Sequence, residues 1–157
     1  MARITLRGGH LNLNITAAVK EFHEACDMPV YNEPQVGICS IHDNERRKLR
    51  RSLIGEEYAE YVKAEKSNSI VDIADSLADM MYVIAGAGLE YGIDLDAVMV
   101  EIHRSNMSKV NATTGKIVRR EDGKILKPDG WTPPDVRGVL FSWLRANKRE
   151  EGGREVP

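Results

Sequence analysis

Two groups of carboxylates have the types and spacing to do chemistry. "LIGEEYAEYVKAEK", residues 53 to 66, sets Glu56, Glu57 and Glu60 close together in a helical pattern. "VDIADSLADMMYVIAGAGL" then sets Asp72, Asp75 and Asp79 at i, i+3 and i+7, within about 60° of one another on a helix. Carboxylate-only ligation selects hard cations, Mg²⁺, Mn²⁺ or Ca²⁺, over zinc. Glu56, Glu57, Glu60, Asp75 and Asp79 are the candidate ligands, with Asp72 a weaker third on the aspartate face. Five carboxylates exceed what one Mg²⁺ takes from protein. Such a surplus suits two or more ions, completed by an anion, for which phosphate is the usual choice.

Orientation decides whether these acids need a cation. On a wheel of about 100° per residue with Glu56 at zero, Leu49 lies near 20°, Glu60 near 40°, Leu53 near 60° and Glu57 near 100°. If Leu49 and Leu53 mark the core, the glutamates are carried inward, while Tyr58 and Lys63 point elsewhere. A buried ionised carboxylate costs several kcal/mol unless a cation meets it. From Ser67 to Ile102 there is no Lys, Arg or His, so the aspartates have no local base. The plainer alternative is a solvated face, with Arg46 or Arg50 pairing to Glu57 or Glu60.

A second set could hold the rest of a substrate. "EIHRSNMSK" places His103 and Asn106 three apart, with Lys109 a turn later, donors suited to phosphate or sugar; a polar helix end is the plain alternative. Beyond it Lys116, Arg119, Arg120, Lys124 and Lys127 interleave with Trp131. A basic hairpin could fold over a polyphosphate, and Trp131 could stack on a base or anchor the loop. Tyr82 and Trp143 read as core. There is no G-x-x-x-x-G-K-[ST], G-x-G-x-x-G or G-x-S-x-G, and His10, His23 and His42 have no companions at metal or triad spacing.

These residues need helices to position them. Apolar periodicity predicts a first helix over 15–26 and a second from a cap at Asp43 or Asn44 to about Lys66. "SNS" at 67–69 is a turn and a cap. A third helix follows from about Ile70 to Tyr91, stopping at Gly92, and is apolar nearly all round, hence buried. A fourth, capped by Asp94, runs from about Leu95 to Met107. Asp122-Gly123 marks a hairpin-like excursion near 115–127, and Thr132 as N-cap with Pro133 at N1 opens a last helix. The expectation is an all-α bundle of about five helices, one domain over 1–147 with a flexible tail over 148–157.

Composition narrows the class. The chain has 157 residues, a formal net charge of −2 and few aromatics, which gives no general attraction to nucleic acid or anionic membrane. Cys26 and Cys39 form no CxxC pair, no signal-like segment opens the sequence, and no apolar run spans a bilayer. The expected location is the cytoplasm.

Together "RRSLIGEEYAEYVKAE", "VDIADSLADMMYVIAGAGLEYGIDLDAV", "EIHRSNMSK" and "REDGKILKPDGWTPPDV" resemble the all-α nucleoside triphosphate pyrophosphohydrolases. These include MazG-like enzymes, dimeric dUTPases and phosphoribosyl-ATP pyrophosphohydrolase. The resemblance covers roughly residues 15–145. It implies that Glu56, Glu57 and Glu60, the family's EExxE, hold Mg²⁺. The ExxD motif falls on Ser76 to Asp79, where Ser76 replaces the expected glutamate and Asp75 reaches much the same space. Asn106 and Lys109 would contact sugar and phosphate. The implied reaction is Mg²⁺-dependent cleavage of a (d)NTP, such as dUTP, to the monophosphate and pyrophosphate, with Glu57 and Glu60 catalytic, in a homodimer or homotetramer. Phosphoribosyl-ATP is an alternative substrate. A non-catalytic helical dimerisation module is the alternative from another class, favoured by Ser76.

Overall fold

The computed structural model describes residues 5–7, 10–34, 41–111 and 113–142. Cys39, Trp143 and the tail expected over 148–157 lie outside them. The chain divides into two compact units, Met1–Asp94 and Leu95–Pro157.

The first unit opens with a feature the sequence reading did not anticipate, a two-stranded antiparallel ribbon of β1 (Thr5–Arg7) and β2 (His10–Asn12). Helix α1 (Ile15–Ala25) follows. Asn14 caps it, its side-chain oxygen accepting from the Ala17 amide at 2.7 Å. The apolar stripe of α1 buries Val19 against Ala85 and Leu89, with Ile15 and Val30 packed alongside.

Helix α2 spans Ile41–Ser67, so it is already helical before the expected caps at Asp43 and Asn44. Helix α3 spans Ile70–Tyr91, as its periodicity predicts. Only Asn68 and Ser69 separate the two helices. Asn68 takes a left-handed φ of 54°, which Asn tolerates well, and the Ser69 hydroxyl caps α3 by accepting from the Asp72 amide at 3.3 Å. So short a turn makes α2 and α3 an antiparallel hairpin. Gly92 ends α3 with φ 63°, and its amide bonds back to Gly88 and Leu89 carbonyls. Any Cβ at Gly92 would overlap the carbonyl of Glu33.

The second unit holds α4 (Leu95–Met107) and a short α5 (Val136–Leu140). Between them lies the expected excursion. Arg119 bridges Ile125 in antiparallel fashion, and the Leu126 amide donates to the Val118 carbonyl at 2.8 Å. Gly123 turns the chain with φ 83°. The cap of α5 is Asp135, whose side chain accepts from the Gly138 amide at 2.8 Å, and not Thr132. Two causes move it: Pro134 keeps the preceding residue out of helical conformation, and the Thr132 hydroxyl already accepts from Arg104 at 2.8 Å. The expected all-α architecture of about five helices is what these elements form.

Candidate metal and phosphate site

The antiparallel hairpin of α2 and α3 gathers the acids. Glu57 is the informative one. Partial burial, then the charges of Asp79, Glu60, Glu56 and Asp75, push its carboxyl above the usual value. The other four candidate ligands therefore all bear on Glu57, from α2 and from α3.

Sequence reasoning misjudged their depth. Glu56, Glu60, Asp72, Asp75 and Asp79 are exposed and Glu57 is half-buried. The inward stripe of α2 is marked by buried Arg50 and Ala64, with Ile54, Glu57 and Tyr61 half-buried between them. Of the two leucines taken as its markers, Leu53 is half-buried but Leu49 is 51% exposed. The seam is thus rotated by roughly a quarter turn of the wheel. Only Glu57 faces it, and the other glutamates line its edge.

Of the plain alternative, the solvated face is what the exposed acids show, but the arginine pairing does not hold. Arg46 and Arg50 both close on Glu90 of α3, Arg46 at 3.0 Å. Among the described residues no ion pair reaches Glu57, Glu60, Asp72, Asp75 or Asp79; Glu56 accepts from the Ser52 hydroxyl at 2.8 Å. A cleft of about 320 Å³ opens beside the seam, lined by Glu60, Lys63, Ala64, Ser67, Asp72, Asp75 and Ser76. Lys63 therefore shares the acidic cleft, against the expectation that it points elsewhere. Ser76 is buried and its hydroxyl donates to the Ile73 carbonyl at 3.2 Å, so it is no substitute ligand. Asp75, one residue back, lines the cleft.

The donor set is all oxygen, the chemistry a hard divalent ion takes, and is crowded around Glu57, with Lys63 beside it in the cleft. Among the described residues no three His, Cys, Asp or Glu side chains lie close enough to hold an ion by themselves.

The second unit carries the other candidates. The Lys109 ammonium donates to Asn106 Oδ1 at 2.7 Å, and His103 and Lys124 are exposed. Trp131 is an anchor: its indole N–H donates to the Ser105 carbonyl at 3.2 Å, and the Lys127 ammonium sits 3.8 Å from its ring centroid. Two groups escaped the sequence reading. Glu101 takes two bonds from Arg104 and one from the Asp135 amide, which hold its carboxyl down near about 2. The Arg50–Glu90 pair was foreshadowed only by a lone acid closing an apolar helix.

Fold and site define a helical protein with a carboxylate face on its α2–α3 hairpin. A model of the phosphoribosyl-ATP pyrophosphohydrolase family, PRA-PH, matches residues 19–106, over half of the chain and all five candidate ligands. The chain belongs to that family. It is 45% identical over 49 residues to Uncharacterized protein L479 of Acanthamoeba polyphaga mimivirus, covering 31% of this chain and 20% of that protein. The match thus spans about a fifth of that relative's length. It is also similar to the crystal structure of a "putative NTP pyrophosphohydrolase" from Exiguobacterium sp. 255-15, at 23% identity over 87% of this chain and 98% of that one, with a TM-score of 0.42.

Proposed function

We propose that this chain is a Mg²⁺-dependent pyrophosphohydrolase that cleaves a nucleoside triphosphate, dUTP or a related non-canonical nucleotide, to the monophosphate and pyrophosphate. The observation that carries the reading is a face of five carboxylates on α2 and α3, none of them in a described ion pair, inside the region that matches the family. Mg²⁺ or Mn²⁺, when bound, would neutralise the phosphates and acidify a water. Glu56, Glu60, Asp75 and Asp79 would hold the ions. Glu57, whose carboxyl is raised above its usual value, would take the proton as the water oxygen bonds to phosphorus and pyrophosphate departs. Asn106 and Lys109, with Lys124 and Lys127, would meet sugar and phosphate. Phosphoribosyl-ATP stands as a second substrate because the matching family is named for it.

The assay is pyrophosphate release from dUTP, dCTP, dATP, dGTP, dTTP, ITP and phosphoribosyl-ATP with Mg²⁺ or Mn²⁺. Glu57→Gln is expected to lower the rate about 100-fold or more. Activity untouched by Glu60→Gln and Asp79→Asn would remove this site from the reaction. A homodimer or homotetramer in the cytoplasm completes the reading; no described helix is long and apolar enough to cross a membrane.

A further inference from the structure

The carboxylate face lies between two fastenings. At one end Asn68 and Ser69 join α2 directly to α3. At the other, Arg50 of α2 pairs with Glu90 of α3, their side chains 8% and 7% exposed, and Arg46 reaches the same Glu90 oxygen at 3.0 Å. The fit around this pair is close. Gly86 of α3 has no side chain where a Cβ would stand 2.8 Å from His23 Nε2 and 3.1 Å from Arg50 Nη1. Met28 Sδ lies 3.7 Å from Arg50 Nη2, and Arg50 Nε is buried with no hydrogen-bond partner among the described residues.

Between the fastenings α2 carries Glu56, Glu57 and Glu60 facing Asp75 and Asp79 of α3, whose charges bear on Glu57. Like charges on facing helices oppose their close approach. The two-residue turn resists this at its own end only. A buried ion pair adds little net stability compared with apolar packing, but leaving either partner uncompensated is costly, so the Arg50–Glu90 pair holds α2 and α3 where the two groups meet.

We infer that Arg50 and Arg46, closing on Glu90, are positioning residues that clamp α2 to α3 and keep the carboxylate face assembled before a cation neutralises it. The inference rests on reading that face as the cation and phosphate site. The clamp touches neither ion nor substrate and acts through the glutamates one to three turns along α2.

The test is the α2–α3 separation in the full chain. Nitroxide labels go on Tyr58→Cys and Ala78→Cys in a Cys26→Ser, Cys39→Ser background, spin-diluted with unlabelled chain. Pulsed dipolar spectroscopy without metal should give a narrow distance distribution for the parent. Glu90→Gln, shown folded by circular dichroism, should broaden it and move it by roughly half a helical turn, about 3 Å. Mg²⁺ should narrow it again, and Glu90→Asp should restore part of the closure. Calorimetry on the unlabelled chain should show Mn²⁺ affinity about tenfold weaker in Glu90→Gln. Should Glu90→Gln fail to fold, Arg46→Gln at the half-exposed arginine should shift the distance the same way by less. An unchanged distribution in the folded variant overturns the clamp. If the parent takes up no Mn²⁺ at all, the functional reading falls, while the distance measurement still decides the clamp.

Discussion

Glu57 occupies the inner edge of the acidic seam, where burial and four neighbouring carboxylates raise its pKa. The folded chain keeps a proton that the unfolded chain has already released. Its contribution to stability is therefore full below the ordinary value of 4.5 and is lost as pH rises through the folded pKa. Urea unfolding of the metal-free protein should lose this contribution as pH rises above 4.5, and Glu57→Gln should flatten that part of the profile. Glu101 has the opposite sign: held near about 2 by Arg104 and the Asp135 amide, it stabilises above 4.5 and loses that effect as pH falls toward 2. Glu101→Gln should speed hydrogen exchange at the amides of Asp135 and Gly138, measured by NMR at neutral pH. The acids themselves were legible in sequence because spacing on a helix is local. Their depth was not, because Leu49 and Arg50 are neighbours and only tertiary packing decides which faces in.

At the scale of elements, two glycines on the helical hairpin should respond in opposite directions. Nothing lies within 4 Å of a Cβ built at Gly55 on α2, so Gly55→Ala should stabilise by about 0.5–1 kcal/mol through helix propensity alone. At Gly86 the added methyl meets His23 and Arg50, and Gly86→Ala should destabilise by about 1–3 kcal/mol. Denaturant midpoints of the two variants check both signs. Helix ends were readable where a residue caps its own turn, as the Ser69 hydroxyl and the left-handed backbone of Gly92 do on α3. The start of α5 was misread because Arg104, 28 residues away, had already engaged Thr132. The partner of Arg50 escaped for the same reason, lying 40 residues along the chain.

For the whole molecule the exposed apolar surface matters most. Ile70, Leu77, Met81 and Ile84 fall on one side of α3, opposite Asp72, Asp75 and Asp79 on the wheel, and are 75%, 44%, 52% and 43% exposed. A continuous apolar stripe of that length on a folded chain calls for a cover, and the proposed homo-oligomer would supply it. Sedimentation should give a dimer or larger species, and Leu77→Glu with Met81→Glu should yield monomer. The near-continuous apolar pattern of α3 signalled burial. Which side buries against its own chain, and which is left for another copy, is set by packing that periodicity does not encode. Gly92 carries a last consequence. Its backbone hand and the Glu33 carbonyl pressed against it forbid a side chain twice over. A library randomised at that codon and selected for soluble expression should return glycine almost alone. Position 92 is thus a point where the chain has no evolutionary freedom, although it lies outside the proposed chemistry.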